Sequence, residues 1–465
     1  MRGSSRTDRC GGGEGAKKNL AEVIQEETAG EIGRIVARVL ARRPDASLDL
    51  EAIEMALRAS MHQLGGAILE RLLDADSGHR GPRVPCDKGH TAEFVDYRTK
   101  DIVTVLSRIR VRRAYYHCAI CRAGTLPKDS DLDIVSTAFS PGVRRLMARV
   151  GGKEAFDEGR QDLESLAGIF VKTKEVERVS ETIGEEIEAV ARRERGAVLS
   201  GKIVQIRPVP RMYVAVDGTG VPMVPHETEG RPGKDETGRA KTREAKLGCV
   251  FTQVGVDSEG RPIRDDGSTT YVGAIETAQE FGNRIFTEAI RRGARFSKQM
   301  VVLGDGAPWI WNLAAEHFPG AIEIVDLYHA REHLSELAKI IYGPGSTEAK
   351  QWADARIAEL DVGNVEAVTT AMARLRPRND SVKDEVRRAT GYFQTNAERM
   401  RYREFRSQGL FVGSGVIEAG CKTIAGRRLK QSGMRWTVKG ANAILALRCC
   451  ELSGRTEQYW EHRAA

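Results

Sequence analysis

Three acids stand where apolar runs change character. Asp217 follows Val214-Ala215-Val216, Asp305 follows Val301-Val302-Leu303-Gly304, and Glu418 is the lone acid of Gly415-Val416-Ile417-Glu418-Ala419-Gly420. Taken singly each has a plain explanation: Asp-Gly is a common turn, and a glutamate near a helix start suits the macrodipole. Brought together they repel unless something positive separates them. Mg²⁺ (or Mn²⁺), an oxygen-seeking ion that keeps several waters, is the natural counter-charge. Two such ions about 4 Å apart would activate a water or a 3′-hydroxyl and stabilise the leaving oxygen, the chemistry of phosphodiester cleavage and strand transfer. Nearby, Asp326-Leu327-Tyr328-His329 puts an acid at a strand end and a histidine on the opening turn of a helix. An Asp there reads first as an N-cap, and His329 could reach either a scissile phosphate or an active-site acid. Trp309 and Trp311 follow Asp305 and could stack on a base, although packing against a sheet is the commoner use of large aromatics.

A second constellation lies upstream. Cys86-x3-His90 and Cys118-x2-Cys121 offer four soft or borderline ligands in two clusters, the spacing of a tetrahedral structural Zn²⁺ held by two knuckles. The bland alternative is a buried cysteine pair with a surface histidine.

These groups need elements to carry them. Residues 1–18 read as a flexible arm, and 19–80 as two helices broken at Arg43 to Ser47. From 81 to 135 the pattern alternates, most clearly at Arg108-Ile109-Arg110-Val111-Arg112, giving a zinc-ribbon-like β module with one basic face. Residues 136–207 return to helix, and Leu163 to Val179 reads as helix, glycine turn, helix. Thr173 is its expected N-cap, and Lys172, Lys174 and Arg178 could face a DNA groove. From 208 to 465, after a Pro208/Pro210 linker, the succession is strand (ending at Asp217), strand, strand, helix, strand, helix, strand. That is the order of an α/β RNase H-like domain, with a helical insertion at about 346–408. In such a sheet the first and fourth strands adjoin, so Asp217 and Asp305 would share cations, with Glu418 arriving from a late helix.

Composition agrees with a folded enzyme on a polyanion. The chain of 465 residues is 41% hydrophobic and 29% charged, too apolar for a disordered protein. No run approaches the roughly 20 uncharged residues of a membrane span. A soluble, cytoplasmic protein is expected, because the first residues lack a secretory core and the cysteines are mostly single. The net charge of +7 resides in residues 401–465, which hold 12 Lys and Arg against 5 Asp and Glu. Lys422, Arg427, Arg428, Lys430 and Arg435 follow Glu418 closely, and Arg110, Arg112, Lys172 and Lys174 add basic positions upstream, all candidates for DNA phosphates.

With these residues in view the chain resembles bacterial insertion-sequence transposases of the ISKra family, relatives of the Mutator-like DDE enzymes. The matching stretches are Val214 to Thr219, Leu303 to Ala307, Asp326 to His329 and Gly413 to Glu418, with the run Arg428 to Trp436. The resemblance implies a DDE triad at Asp217, Asp305 and Glu418, a helical insertion before the third acid, and a site role for Asp326 and His329. It further implies a cut-and-transfer reaction on double-stranded DNA, at terminal inverted repeats and target, by a homodimer or higher oligomer. A cysteine-rich, zinc-like segment before the catalytic domain is also implied, although Cys86-x3-His90 departs from a plain Cys-x2-Cys. Two other readings stay open: a two-metal nuclease of the resolvase kind that never joins ends, and a regulator that binds DNA without cutting it.

Overall fold

The computed structural model describes residues 20–41, 49–202, 209–231, 241–413 and 415–464. The expected arm, the break at 43–47, Pro208 and Ser414 lie outside them. The chain divides into two compact units, Met1–Leu146 with Gln161–Val171, and Met147–Arg160 with Lys172–Ala465.

The first unit holds helices α1 (Leu20–Ala41) and α2 (Leu50–Asp74) and a four-stranded antiparallel meander, β1 (Arg83–Pro85), β2 (Thr91–Val103), β3 (Arg108–Cys118) and β4 (Ala123–Thr125). Asp49 caps α2 by accepting from the Ala52 amide at 3.2 Å. Along β3 the alternation holds through Arg112, with Ile109 and Val111 buried and Arg110 and Arg112 exposed. Arg113, next on the inward face, is held bidentately by Asp129 of α3 (Pro127–Asp131), at 2.7 and 2.9 Å. Helices α4 (Pro141–Lys153) and α5 (Phe156–Ala167) straddle the division.

The second unit opens with α6 (Thr173–Leu199), whose N-cap is Lys172 rather than Thr173. The Thr173 hydroxyl instead donates to Asp157 at 2.6 Å. Valines 176 and 179, Ile183 and Gly184 are buried, while Lys172, Lys174 and Arg178 are exposed.

A mixed sheet of six strands forms the centre of this unit: β5 (Arg211–Pro222), β6 (Thr242–Val256), β7 (Pro262–Arg264), β8 (Thr270–Ala274), β9 (Gln299–Gly304) and β10 (Ile322–Val325). The order is β10-β9-β5-β6-β7, with β8 also pairing with β6. Pairs β5–β9 and β9–β10 are parallel; β5–β6 and β6–β8 are antiparallel. Helices α7 (Ala278–Arg291) and α8 (Pro308–His317) make the crossovers, as an apolar strand needs when its parallel neighbour follows it. Their apolar faces join β5, β6, β9 and β10 in one large core.

The short β7 has no counterpart in the sequence reading. A larger departure concerns β5. The strand does not stop at Asp217 as its glycines suggest; it continues through Gly218-Thr219-Gly220 to Pro222, paired residue for residue with β6. What stops near Asp217 is the parallel pairing with β9, last seen at Ala215 opposite Leu303.

After β10 the chain is helical: α9 (Leu327–Tyr342), then α10 (Thr347–Asp361), α11 (Val365–Ala373), α12 (Asp380–Thr395) and α13 (Tyr402–Ser407), covering the expected insertion. It returns through α14 (Gly415–Cys421), a π turn at Lys422–Gly426, and α15 (Arg427–Leu429), and ends with α16 (Val438–Leu452) and α17 (Thr456–Ala464).

Candidate active site

Three aspartates line up at the carboxyl end of the parallel strands. Ala215 faces Leu303 and Gly304 faces Val325 in the register, so Asp217 and Asp305 continue one pair, and Asp305 and Asp326 the other. Adjacent strands lie about 4.8 Å apart, which puts three acids in a row spanning about 10 Å. Each is fixed by a backbone amide. Asp217 Oδ1 accepts from Gly218 at 2.7 Å, Asp305 Oδ1 from Ala307 at 2.9 Å, and Asp326 Oδ1 from His329 at 2.8 Å. Asp326 is therefore the N-cap of α9, as its sequence position suggested, and it is fully buried.

The turn after Asp305 depends on Gly306, at φ +99°, where a Cβ would lie 2.5 Å from the Tyr392 ring. Tyr392, from α12 of the insertion, donates its hydroxyl to the Asp305 carbonyl at 2.8 Å and sits against His333 with ring centroids 4.4 Å apart.

Glu418 reaches this edge on α14. The returning chain is strapped down by Leu327, whose amide donates to the Val412 carbonyl at 2.9 Å. A side chain at Gly413 would strike Tyr328. Ile417, Gly420 and Cys421 are buried, which turns half-buried Glu418 toward the strand ends. The π turn that follows is pinned by buried Arg448 of α16, which donates to the carbonyls of Ile424 (2.7 Å), Thr423 and Gly152. A π segment beside a cluster of acids is a common functional-site feature.

The side chains assemble unequally. Ligand atoms of Asp326, His329 and Glu418 all lie within 4.8 Å of one another. Asp217 and Asp305 are not members of that group; they interact with each other, and Asp217 also feels the charge of His329. Burial pushes the Asp217 carboxyl above its ordinary range. Hydrogen bonds from the Cys421 thiol and the Gly218 amide pull against that rise, and the facing Asp305 charge adds to it. Burial likewise raises the Cys421 thiol far above its usual value, so it stays protonated and donates. Cys421, Tyr392 and His333 are neighbours that the sequence reading missed. Only the apolar context of Cys421 gave any signal.

Four of the five basic residues after Glu418, namely Lys422, Arg427, Lys430 and Arg435, are exposed, and Lys430 donates to the Thr219 hydroxyl on β5. Arg428 corrects the expectation of a phosphate contact. It has no exposed surface, donates to the Gly151 carbonyl at 2.9 Å, and lies over the rings of Phe156 (4.5 Å) and Trp436 (5.0 Å). Burial, with Arg448 nearby, lowers its pKa to about 10. Trp436 is buried too, its ring N–H donating to the Leu429 carbonyl at 3.0 Å. Trp311 is buried beneath Arg399, and half-buried Trp309 packs edge-on against Phe281, so both serve the core.

In the first unit, ligand atoms of Cys86, His90, Cys118 and Cys121 also lie within 4.8 Å of one another. The Cys86 amide donates to the His90 carbonyl at 2.8 Å, closing one knuckle, and Cys118 and Cys121 flank the β3–β4 turn. Cys86 and Cys121 sulfurs are 3.6 Å apart. Tetrahedral ligands at the Zn–S length of about 2.3 Å stand about 3.8 Å apart. His90 Nδ1 is buried without a hydrogen-bond partner. Amides of Cys121 and Ile120 hold the Cys118 thiol below its usual pKa. This donor set fits zinc.

No family model matches the chain, and no curated protein matches it. Among solved structures, the Drosophila P element transposase strand transfer complex aligns at 9% identity over 73% of this chain and 84% of that one, with a TM-score of 0.22. At that score the likeness carries no argument.

Proposed function

We propose that the protein is a DDE-type DNA transposase with an RNase H-like catalytic unit, acting on the ends of an insertion sequence. The observation that carries this reading is the row Asp217, Asp305 and Asp326 on adjacent parallel strands, met by Glu418 and His329. The sheet supports the RNase H-like assignment, since β5 and β9 are parallel neighbours and β6 and β8 run antiparallel. Asp217, Asp305 and Glu418 are the residues that would hold divalent ions, and their oxygen-rich donor set fits Mg²⁺ or Mn²⁺. Such ions supply activation of an attacking water or 3′-hydroxyl and charge stabilisation on the leaving oxygen. Asp217 and Asp305 start from amide-fixed positions. Exposed Lys422, Arg427, Lys430 and Arg435 follow Glu418 and would bind DNA phosphates there, while Arg110, Arg112, Lys172 and Lys174 contact flanking duplex. The cysteine knot would hold a structural Zn²⁺ with four protein ligands and no open position.

Asp217→Asn and Glu418→Gln should each abolish divalent-dependent nicking of inverted-repeat DNA while gel-shift binding persists. Undiminished nicking in either variant overturns the proposal. Joining of a pre-cut donor end to a target separates transfer from simple hydrolysis.

A further inference from the structure

The acids of this site do not share one kind of environment. Asp217 feels the Asp305 charge and takes a hydrogen bond from the Cys421 thiol, whereas Glu418 groups with Asp326 and with a ring nitrogen of His329, ligand atoms within 4.8 Å. We propose that Asp326, His329 and Glu418 form a distinct cation subsite of mixed nitrogen and oxygen donors that selects Mn²⁺ over Mg²⁺. The inference rests on the two-ion reading above and says which ion belongs on which side.

The spacing is one that a small shift would turn into a first coordination sphere. Ligands about 2.1 Å from an ion lie about 3 Å apart when adjacent and about 4.2 Å apart when opposite, spacings the group accommodates with little movement. Asp326 is fully buried, and its position is set twice: its amide donates to the Gly304 carbonyl at 2.7 Å, and its Oδ1 accepts from the His329 amide. One carboxylate thus ties β10 to the first turn of α9 and fixes where the His329 ring starts. His329 Nδ1 lies 3.9 Å from the Glu332 carboxylate. Imidazole nitrogen favours a transition ion over Mg²⁺, which prefers oxygen throughout.

The test is pulsed electron paramagnetic resonance of the full chain loaded with Mn²⁺, with nitrogen coupling as the readout. Wild type should show imidazole ¹⁴N coupling that His329→Gln removes and His462→Gln, at an exposed position of α17, leaves unchanged. His329→Gln should also weaken Mn²⁺ binding by about tenfold while leaving Mg²⁺ binding within about twofold. Absence of coupling in wild type, its survival in His329→Gln, or its loss in His462→Gln overturns the subsite. If His329→Gln fails to fold, absence of coupling in wild type still overturns the subsite, and His329→Asn is read in its place. The parent reading fails separately: nicking intact in Asp217→Asn would sink the two-ion site. Nicking lost in that variant, with no nitrogen coupling in wild type, would sink only the subsite.

Discussion

The two ligand clusters of this protein are built in opposite ways. Cys86, His90, Cys118 and Cys121 sit at the turns of one small meander, with Cys86 and Cys118 buried and sulfur dominant. The acid cluster draws on β5, β9, β10, α9 and α14, and Glu418 lies about two hundred residues after Asp217. Sulfur in a closed knot with four protein ligands is suited to holding a fold together. Asp217, Asp305 and Glu418, each partly exposed, leave positions for water and substrate. The difference teaches that ligand number and burial, more than residue type, separate a staple from a workplace.

The contrast can be broken most decisively at the knot. Structural zinc in small modules contributes apparent binding free energies of about 10–16 kcal/mol, so Cys118→Ser should lose bound zinc and melt the β meander. Elemental analysis and circular dichroism of the full chain check this, and a metal-free wild type with an unchanged melt would remove the staple side of the comparison. The acid side tolerates more. Arg428→Ala should cost about 3 kcal/mol, because it empties the space between Phe156 and Trp436 and orphans the Gly151 carbonyl. Arg435→Ala should weaken DNA binding at unchanged melting temperature; the reverse pattern for the two arginines would undo the assignment of their roles. Tyr392→Phe removes one hydroxyl bond to the Asp305 carbonyl and should cost about 1 kcal/mol, with a modest loss of nicking and no loss of DNA binding.

The smallest effect sharpens the electrostatics. Burial raises the Asp217 carboxyl, so its favourable contribution is complete at low pH, where it is protonated in both states. That contribution is lost as pH climbs through the raised folded value. In chelator, Asp217→Asn should therefore melt above wild type at neutral pH and close to it in acid. Adding Mg²⁺ should raise the wild type and leave the variant where it is. A variant that melts below wild type at neutral pH contradicts the stated origin of the shift.

Much of this was legible in order and little in detail. Alternation over Arg108 to Arg112 and the apolar run before Asp305 predict β3 and β9, because period and burial are local properties. The cysteine spacing puts two ligands at each of two turns for the same reason. Beyond Asp217 the reading fails, since Gly-Thr-Gly has the composition of a turn but is kept extended by β6 alongside it. Charge alone points Arg428 to the surface, whereas two aromatic faces and a carbonyl receive its guanidinium in the interior. Tyr392 and Cys421 carry no spacing signal, and only the return of distant helices gives them neighbours. The Asp326-His329 pair was visible as a motif, but its grouping with Glu418 depends on the strap at Val412 that folding alone creates.

The bond from Tyr392 to the Asp305 carbonyl makes the helical insertion part of the machinery it interrupts. Ring and backbone meet so tightly at Gly306 that α12 and the second aspartate are mechanically one piece. A ligand that grips the insertion therefore has a handle on the spacing between Asp305 and its neighbouring acids, like a thumb resting on the jaw of a caliper.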